Sequence, residues 1–153
     1  VKNKNVKLLF IGDGLLRETI EQYIKKNTNN NIIYAGSYPS EKRNLFLNAC
    51  DISIVSLTDG RLGLGVPSKS YYNMAAAKPI LFIGDSSSEI AKVITENDIG
   101  WVCKSNVNDI ANYIDKLCTE VDSFLIKGNK ARDVVTQNYS KEVILEKYKC
   151  LYI

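Results

Sequence analysis

Histidine is absent from this chain of 153 residues. Histidine is the commonest general base and the commonest metal ligand, so its absence excludes Ser-His-Asp and Cys-His catalysis within the chain. Cysteine is dispersed, because Cys50, Cys103, Cys118 and Cys150 form no C-x-x-C pair. This spacing indicates neither a zinc site nor a redox motif, and we expect reduced thiols in a cytosolic protein.

The sequence also lacks long apolar runs and a strong excess of charge. No apolar stretch approaches the roughly 18 residues of a membrane span, and the longest, from Ala75 to Ile83, is broken by Lys78 and Pro79. The net charge is +3, and the basic residues form no stripe of the kind that binds nucleic acid. With 45% hydrophobic and 24% charged residues, the chain has the composition of one globular domain.

The beginning of the sequence carries lysines but no signal peptide. Lys2, Lys4 and Lys7 could meet a membrane surface or a partner domain, although a solvated end is the favoured interpretation. The first residue is Val1 rather than methionine. We therefore expect a fragment of a longer protein.

Short apolar runs alternate with longer segments of helical periodicity along the chain. The predicted strands cover residues 6–11, 32–35, 52–56, 79–83 and 100–103. The predicted helices cover residues 15–26, 40–49, 67–76, 86–96, 106–118, 122–137 and 140–148, with serines at 40, 87 or 88, and 140 as predicted caps. This α/β alternation predicts right-handed crossovers and a Rossmann-like parallel sheet with helices on both faces.

In such a sheet, ligands bind beyond the carboxyl ends of the strands. Gly12-Asp13-Gly14 follows the first predicted strand, where glycines let the backbone approach a phosphate at a helix start. The dinucleotide fingerprint is incomplete, because its third glycine falls on Arg17 and no acidic residue ends the second strand. This argues against NAD binding but leaves open both a ligand-binding turn and a purely structural one.

A loop with three glycines, residues 58–66, leads into Pro67-Ser68-Lys69 at a predicted helix start. The amides of Ser68 and Lys69 would be free donors there, and the helix dipole and the lysine add positive potential. This arrangement suits a pyrophosphate. An ordinary proline-initiated helix with a solvated lysine is the equal alternative. Trp101 is favoured as a packing residue over a stacking platform.

Two segments resemble a family signature. Residues 65–69, which end in Val66-Pro67-Ser68-Lys69, and the run from Met74 to Ile80 look like "VPSK…EYMAAGKPI", which is typical of family-4-like glycosyltransferases with the two-domain GT-B fold. Weaker similarities to other motifs of the family occur in the family's order, from about residue 6 to residue 149. Residues 10–14 resemble F-x-G-x-G, 35–38 L-G-x-V/Y, 49–54 A-D-V-x-V, 100–102 G-x-V and 138–140 x-F-S.

The resemblance implies the C-terminal, donor-binding domain of a retaining glycosyltransferase, and it assigns residues to the parts of a nucleoside diphosphate sugar. The diphosphate would contact Gly12, Asp13, Gly14, Pro67, Ser68 and Lys69, and the nucleoside would contact Gly36, Tyr38 and Tyr72. In the glycine-rich loop, Asp59, Arg61 and Gly65 are candidates for contact with the donor sugar, with solvated side chains as the alternative. No catalytic residue is assigned, because the acceptor-side base would come from the other domain.

Two departures from the family pattern stand out. The family often carries two glutamates eight residues apart, and the second glutamate binds the ribose hydroxyls. In this chain the two positions are occupied by Leu64 and Tyr72. A tyrosine hydroxyl is neutral and a weaker acceptor than a carboxylate. The family's first strand and helix, which carry a basic phosphate-binding residue, are absent, as is the N-terminal acceptor domain. We expect this chain alone to be inactive.

The implied function is transfer of a hexose-type sugar to a saccharide or lipid-linked acceptor in bacterial polysaccharide or cell-envelope glycan biosynthesis. The resemblance implies no metal and no cofactor beyond the nucleotide-sugar donor. We expect a cytoplasmic protein whose full-length form associates peripherally with the inner membrane face and binds no nucleic acid. The alternatives are a degenerate transferase domain and a non-enzymatic α/β module such as a phospho-receiver.

Overall fold

The computed structural model describes residues 1–27, 31–57 and 67–150. The strands are β1 (Leu8–Phe10), β2 (Ile32–Tyr34), β3 (Ser53–Ser56), β4 (Ile80–Ile83) and β5 (Gly100–Cys103). The helices are α1 (Arg17–Lys26), α2 (Arg43–Asn48), α3 (Ser68–Ala75), α4 (Glu89–Glu96), α5 (Val107–Leu117), α6 (Asp122–Tyr139) and α7 (Lys141–Lys149). All predicted strands and helices are confirmed, with ends that shift by a few residues. The predicted sugar-loop residues Asp59, Arg61 and Gly65 lie outside the described residues.

The strands form two parallel sheets rather than the one sheet that the alternation predicted. One sheet pairs β1 with β2, and the other has the order β3-β4-β5. Within the described residues, no hydrogen-bonded ladder joins β1 to β3. Hydrophobic alternation reports which segments are strands and that they run parallel, but it carries no information about lateral neighbours.

The larger sheet is covered by helices on both faces, as predicted, and β4 is its centre. Ile80 and Phe82 belong to the hydrophobic cluster shared with α3, α4 and α6. Leu81 points the other way, into a second cluster that includes side chains of β5 and α5. Because successive residues of a strand face opposite sides, the continuous apolar run of β4 fits burial on both faces.

Trp101 lies in the second of these clusters as a packing residue, as expected. It is buried, and its ring centroid lies 5.6 Å from that of Phe124 in an edge-on arrangement.

Serine caps were predicted correctly at two helix starts and wrongly at one. The hydroxyls of Ser88 and Ser140 accept hydrogen bonds from backbone N–H groups of α4 and α7. Ser40 does not cap its helix. The segment begins as a 3-10 turn, Ser40–Lys42, and the Ser40 hydroxyl lies 3.2 Å from the Glu41 carboxylate. The hydrogen bond between the Ser40 hydroxyl and its neighbour competes with capping of the helix.

Helix α3 ends in a cap motif that requires a left-handed residue, and that residue is Ala77, with φ of +54°. The N–H of Ala77 donates to the carbonyl of Met74 at 2.9 Å, and the N–H of Lys78 donates to that of Asn73 at 3.0 Å. This pair of bonds is the Schellman pattern, in which glycine usually occupies the left-handed position. The family signature also has glycine at this position.

Ala77→Gly is therefore expected to raise the free energy of unfolding by about 0.5–1 kcal/mol, because the left-handed cost of a side chain exceeds the added entropy of the unfolded chain. Urea denaturation followed by circular dichroism measures the change. Ala75→Gly, in the last turn of the same helix and exposed, is the matched control and is expected to destabilise. A loss of stability in Ala77→Gly equal to that of the control would contradict the assignment.

Candidate donor-binding site

The start of α3 presents free backbone donors. Pro67 occupies the N-cap position, and no side chain caps the helix. Within the described residues, the N–H groups of Ser68 and Lys69 have no hydrogen-bond acceptor, and both residues are exposed. Unpaired N–H groups and the positive end of the dipole make an uncapped helix start suitable for an anion. The geometry predicted for Pro67, Ser68 and Lys69 is present.

Ser70, in the same helical turn, was not singled out from the sequence. Its hydroxyl is completely buried and has no hydrogen-bond partner among the described residues. A buried hydroxyl without a partner costs about 1–3 kcal/mol. The only sequence signal for it is its position between Lys69 and the two tyrosines that follow.

The turns after β1 and β2 are joined to each other. The N–H of Gly12 donates to the carbonyl of Gly36 at 2.9 Å, and the hydroxyl of Tyr34 donates to the carbonyl of Gly12 at 2.9 Å. Gly12 has φ of +129° and Gly36 has φ of +71°, both in the region that side-chain-bearing residues rarely adopt. Two of the residues predicted to contact different parts of the donor therefore lie side by side.

The amide of Gly14 is occupied by a neighbouring side chain. It donates to the Asp13 carboxylate at 2.9 Å, and the other oxygen of that carboxylate lies 3.5 Å from the Arg17 guanidinium. A hydrogen bond from Arg17 to Glu21, together with the nearby carboxylates, raises the pKa of Arg17 above its usual value. A phosphate at Gly14 would have to displace Asp13, and the assignment of Gly12, Asp13 and Gly14 to the diphosphate stays a prediction.

Tyr72 is paired with an arginine that sequence reasoning missed. The guanidinium carbon of Arg43, the first residue of α2, lies 4.4 Å from the centroid of the Tyr72 ring. Tyr72 is 49% exposed. No motif marks Arg43, since the contact joins two helices that are far apart in sequence. The third predicted nucleoside contact, Tyr38, is also exposed and lies on the segment that leads from β2 to α2.

The predicted site residues fall into two groups. One group is the pair of turns at Gly12 and Gly36, and the other is the start of α3 together with the contact between Arg43 and Tyr72. In the described part of the chain, no hydrogen bond or ion pair links the Gly12 turn to Ser68 or Lys69. Their approach to a common ligand stays a prediction.

Metal and membrane features were sought in the same residues. In the described ranges, no group of three or more carboxylate or thiol side chains could hold a metal ion. None of the described helices combines the length and the apolar character that a bilayer crossing requires.

The chain matches the family described as glycosyl transferases group 1 over residues 1–120. It belongs to this family. A curated relative from Pseudomonas aeruginosa, named as the probable glycosyltransferase WbjE, is 40% identical over 149 residues. The match covers 97% of this chain and 37% of the relative, so the chain spans little more than a third of that protein's length.

Solved structures of GT-B glycosyltransferases share the fold. A variant of TarM from S. aureus, in complex with fondaparinux, alpha-GlcNAc-glycerol and UDP, aligns with a TM-score of 0.77 at 23% identity, over 99% of this chain and 30% of that one. Sucrose-phosphate synthase from Thermosynechococcus elongatus aligns with a TM-score of 0.75 at 16% identity, over 95% and 37%. The fold class and family inferred from the sequence are confirmed, and they favour a transferase over a receiver-type module.

Proposed function

We propose that this chain is the donor-binding domain of an enzyme that transfers a sugar from a nucleoside diphosphate sugar to a saccharide or lipid-linked acceptor. The observation that supports this most directly is the uncapped start of α3, where the amides of Ser68 and Lys69 and the exposed Lys69 side chain have no partner within residues 1–27, 31–57 and 67–150. The UDP held by the related TarM variant is a ligand of the proposed class.

In the proposed reaction, the sugar leaves a diphosphate on which negative charge develops. Backbone N–H donors and a lysine fixed at a helix start stabilise that charge without reorganisation, and this is the main electrostatic contribution expected of the domain. The proposal needs no metal, because the helix start and Lys69 supply the positive potential. It places the reaction in the synthesis of polysaccharides or cell-envelope glycans on the cytoplasmic side of the membrane.

We further propose that the complete enzyme adds an acceptor-binding domain and one more strand and helix to this domain. Two observations support the added strand. Within the described residues, β1 and β3 are edge strands of two separate sheets, with no ladder between them. The side chains of Leu9 and Ile33, which are register partners, and of Ile54 on β3 are exposed. An added strand would pair the open edges and reduce the exposed apolar surface.

Titration of the full chain with UDP, GDP and ADP, followed by amide chemical shifts, tests donor binding. The largest shifts are expected within residues 12–14, 36–38 and 67–72. The free nucleosides serve as controls and are expected to leave the amides of Ser68 and Lys69 unchanged. Shifts that avoid all three segments, or no binding of any nucleoside diphosphate, would contradict the proposal.

A degenerate transferase that binds but does not transfer is the second candidate, favoured by the replacement of the family glutamate by Tyr72. Product formation by the full-length protein from labelled UDP- and GDP-sugars distinguishes the two. Transfer by the unmodified protein supports the enzyme. Binding without transfer, with activity gained in Tyr72→Glu, supports the degenerate domain.

A further inference from the structure

Among the described residues, the guanidinium of Arg43 has no charged partner. Its side chain contacts the ring of Tyr72, with the guanidinium carbon 4.4 Å from the ring centroid. In contrast, Arg17 on α1 has two carboxylates within reach. The planar guanidinium of Arg43 therefore keeps five N–H donors available while the ring beneath it fixes its orientation.

The pair reverses the charge at this position of α3. The family pattern has an acceptor carboxylate where this chain has Tyr72, and here the tyrosine carries a cationic group on its face. A guanidinium can only donate hydrogen bonds, so the ligand group that meets it must be an acceptor. The direction of the hydrogen bond is therefore reversed, because a carboxylate accepts from the ligand whereas Arg43 donates to it.

The position of the pair separates it from the phosphates. Tyr72 follows Ser68 by four residues, which is one helical turn or about 6 Å along the axis of α3. A diphosphate seated at the amides of Ser68 and Lys69 would leave the Arg43–Tyr72 pair opposite the next part of the ligand. Arg43 also begins the helix that follows the segment containing Gly36 and Tyr38, which is the predicted nucleoside side.

We propose that Arg43, held on Tyr72, recognises the nucleobase of the donor by donating hydrogen bonds to a base carbonyl. This inference rests on the proposed function and narrows the donor to nucleotides whose base carries a carbonyl oxygen, such as uracil and guanine. Guanine O6 and N7 accept the two parallel bonds of an arginine. Adenine has an amino donor where guanine has O6, so that edge offers a donor-only side chain one acceptor, N7, instead of two.

The test is calorimetric titration of the full chain with UDP, GDP, ADP and inorganic pyrophosphate. The chain is expected to bind UDP or GDP about tenfold more tightly than ADP. Arg43→Lys keeps the charge but loses the planar fork, and it is expected to remove this preference while changing pyrophosphate affinity less than twofold. Lys42→Ala, an exposed neighbour, is the matched control and is expected to change nothing. Circular dichroism confirms that each variant is folded.

The outcomes separate the two proposals. Tight binding of the preferred nucleotide with no effect of Arg43→Lys, or equal binding of ADP, overturns the role of Arg43 and leaves donor binding intact. An equal loss for pyrophosphate and for the nucleotide makes Arg43 a phosphate ligand and also overturns the inference. Failure of every nucleoside diphosphate to bind the unmodified chain overturns the proposed function, and this inference with it.

Discussion

Gly100→Ala is expected to lower the free energy of unfolding by about 3 kcal/mol or more. A β-carbon at this position would lie 2.0 Å from the carbonyl oxygen of Ile80 and 2.8 Å from its carbonyl carbon and nitrogen. Ile80 is the register partner of Gly100 in the β4–β5 ladder and is completely buried. Neither strand can yield without breaking hydrogen bonds of the β4–β5 ladder.

Equilibrium denaturation in urea measures this loss, and the soluble yield gives a second readout if the variant does not fold. Gly14→Ala is the matched control, because no atom lies within 4 Å of a β-carbon there and its φ is not in the left-handed region. It is expected to change stability by less than about 0.5 kcal/mol. Equal stability of the two variants would mean that the β4–β5 ladder is not packed as described.

Lys69→Ala is expected to weaken binding of UDP and GDP about 10- to 100-fold. A charged hydrogen bond to a phosphate contributes about 1.5–3 kcal/mol, which corresponds to that range. Affinity for the free nucleosides is expected to change less than twofold, because a nucleoside carries no phosphate for the Lys69 ammonium to contact. Calorimetry of each ligand pair measures the difference.

The control for Lys69→Ala is Lys92→Ala, a substitution of another exposed lysine, on α4. It removes the same charge from the whole domain, so it reports the long-range electrostatic contribution alone. Raising the salt concentration is expected to reduce that contribution in both variants. Equal losses for nucleoside and nucleoside diphosphate in Lys69→Ala would remove Lys69 from the phosphate site.

Much of the fold followed from local patterns. The apolar run of β4 and the helix that Pro67 precedes were identified because burial and backbone chemistry leave a direct mark on sequence. Two features could not be predicted from local patterns. The missing ladder between β1 and β3 depends on which strands lie side by side, and the left-handed position after α3 holds Ala77, where glycine is usual.

The candidate site was predictable in part, for similar reasons. The donors at Ser68 and Lys69 could be predicted because an uncapped helix start depends on neighbouring residues only. The capture of the Gly14 amide by Asp13 is also local, but an aspartate has several alternative partners, so the sequence did not decide among them. Arg43 was missed because its contact with Tyr72 depends on how two helices pack.

Burial is distributed unevenly along the chain, and this determines which part of the molecule unfolds locally. Among the described residues before Ser53 none is buried, and α1 and α2 contain no buried residue, whereas the buried members of both hydrophobic clusters all come later. The segment before Ser53 is therefore the less protected cooperative unit, in which backbone amides exchange with solvent through local unfolding. A ligand that spans Gly36 and α3 would slow that exchange, and part of its binding free energy would be spent on ordering this unit.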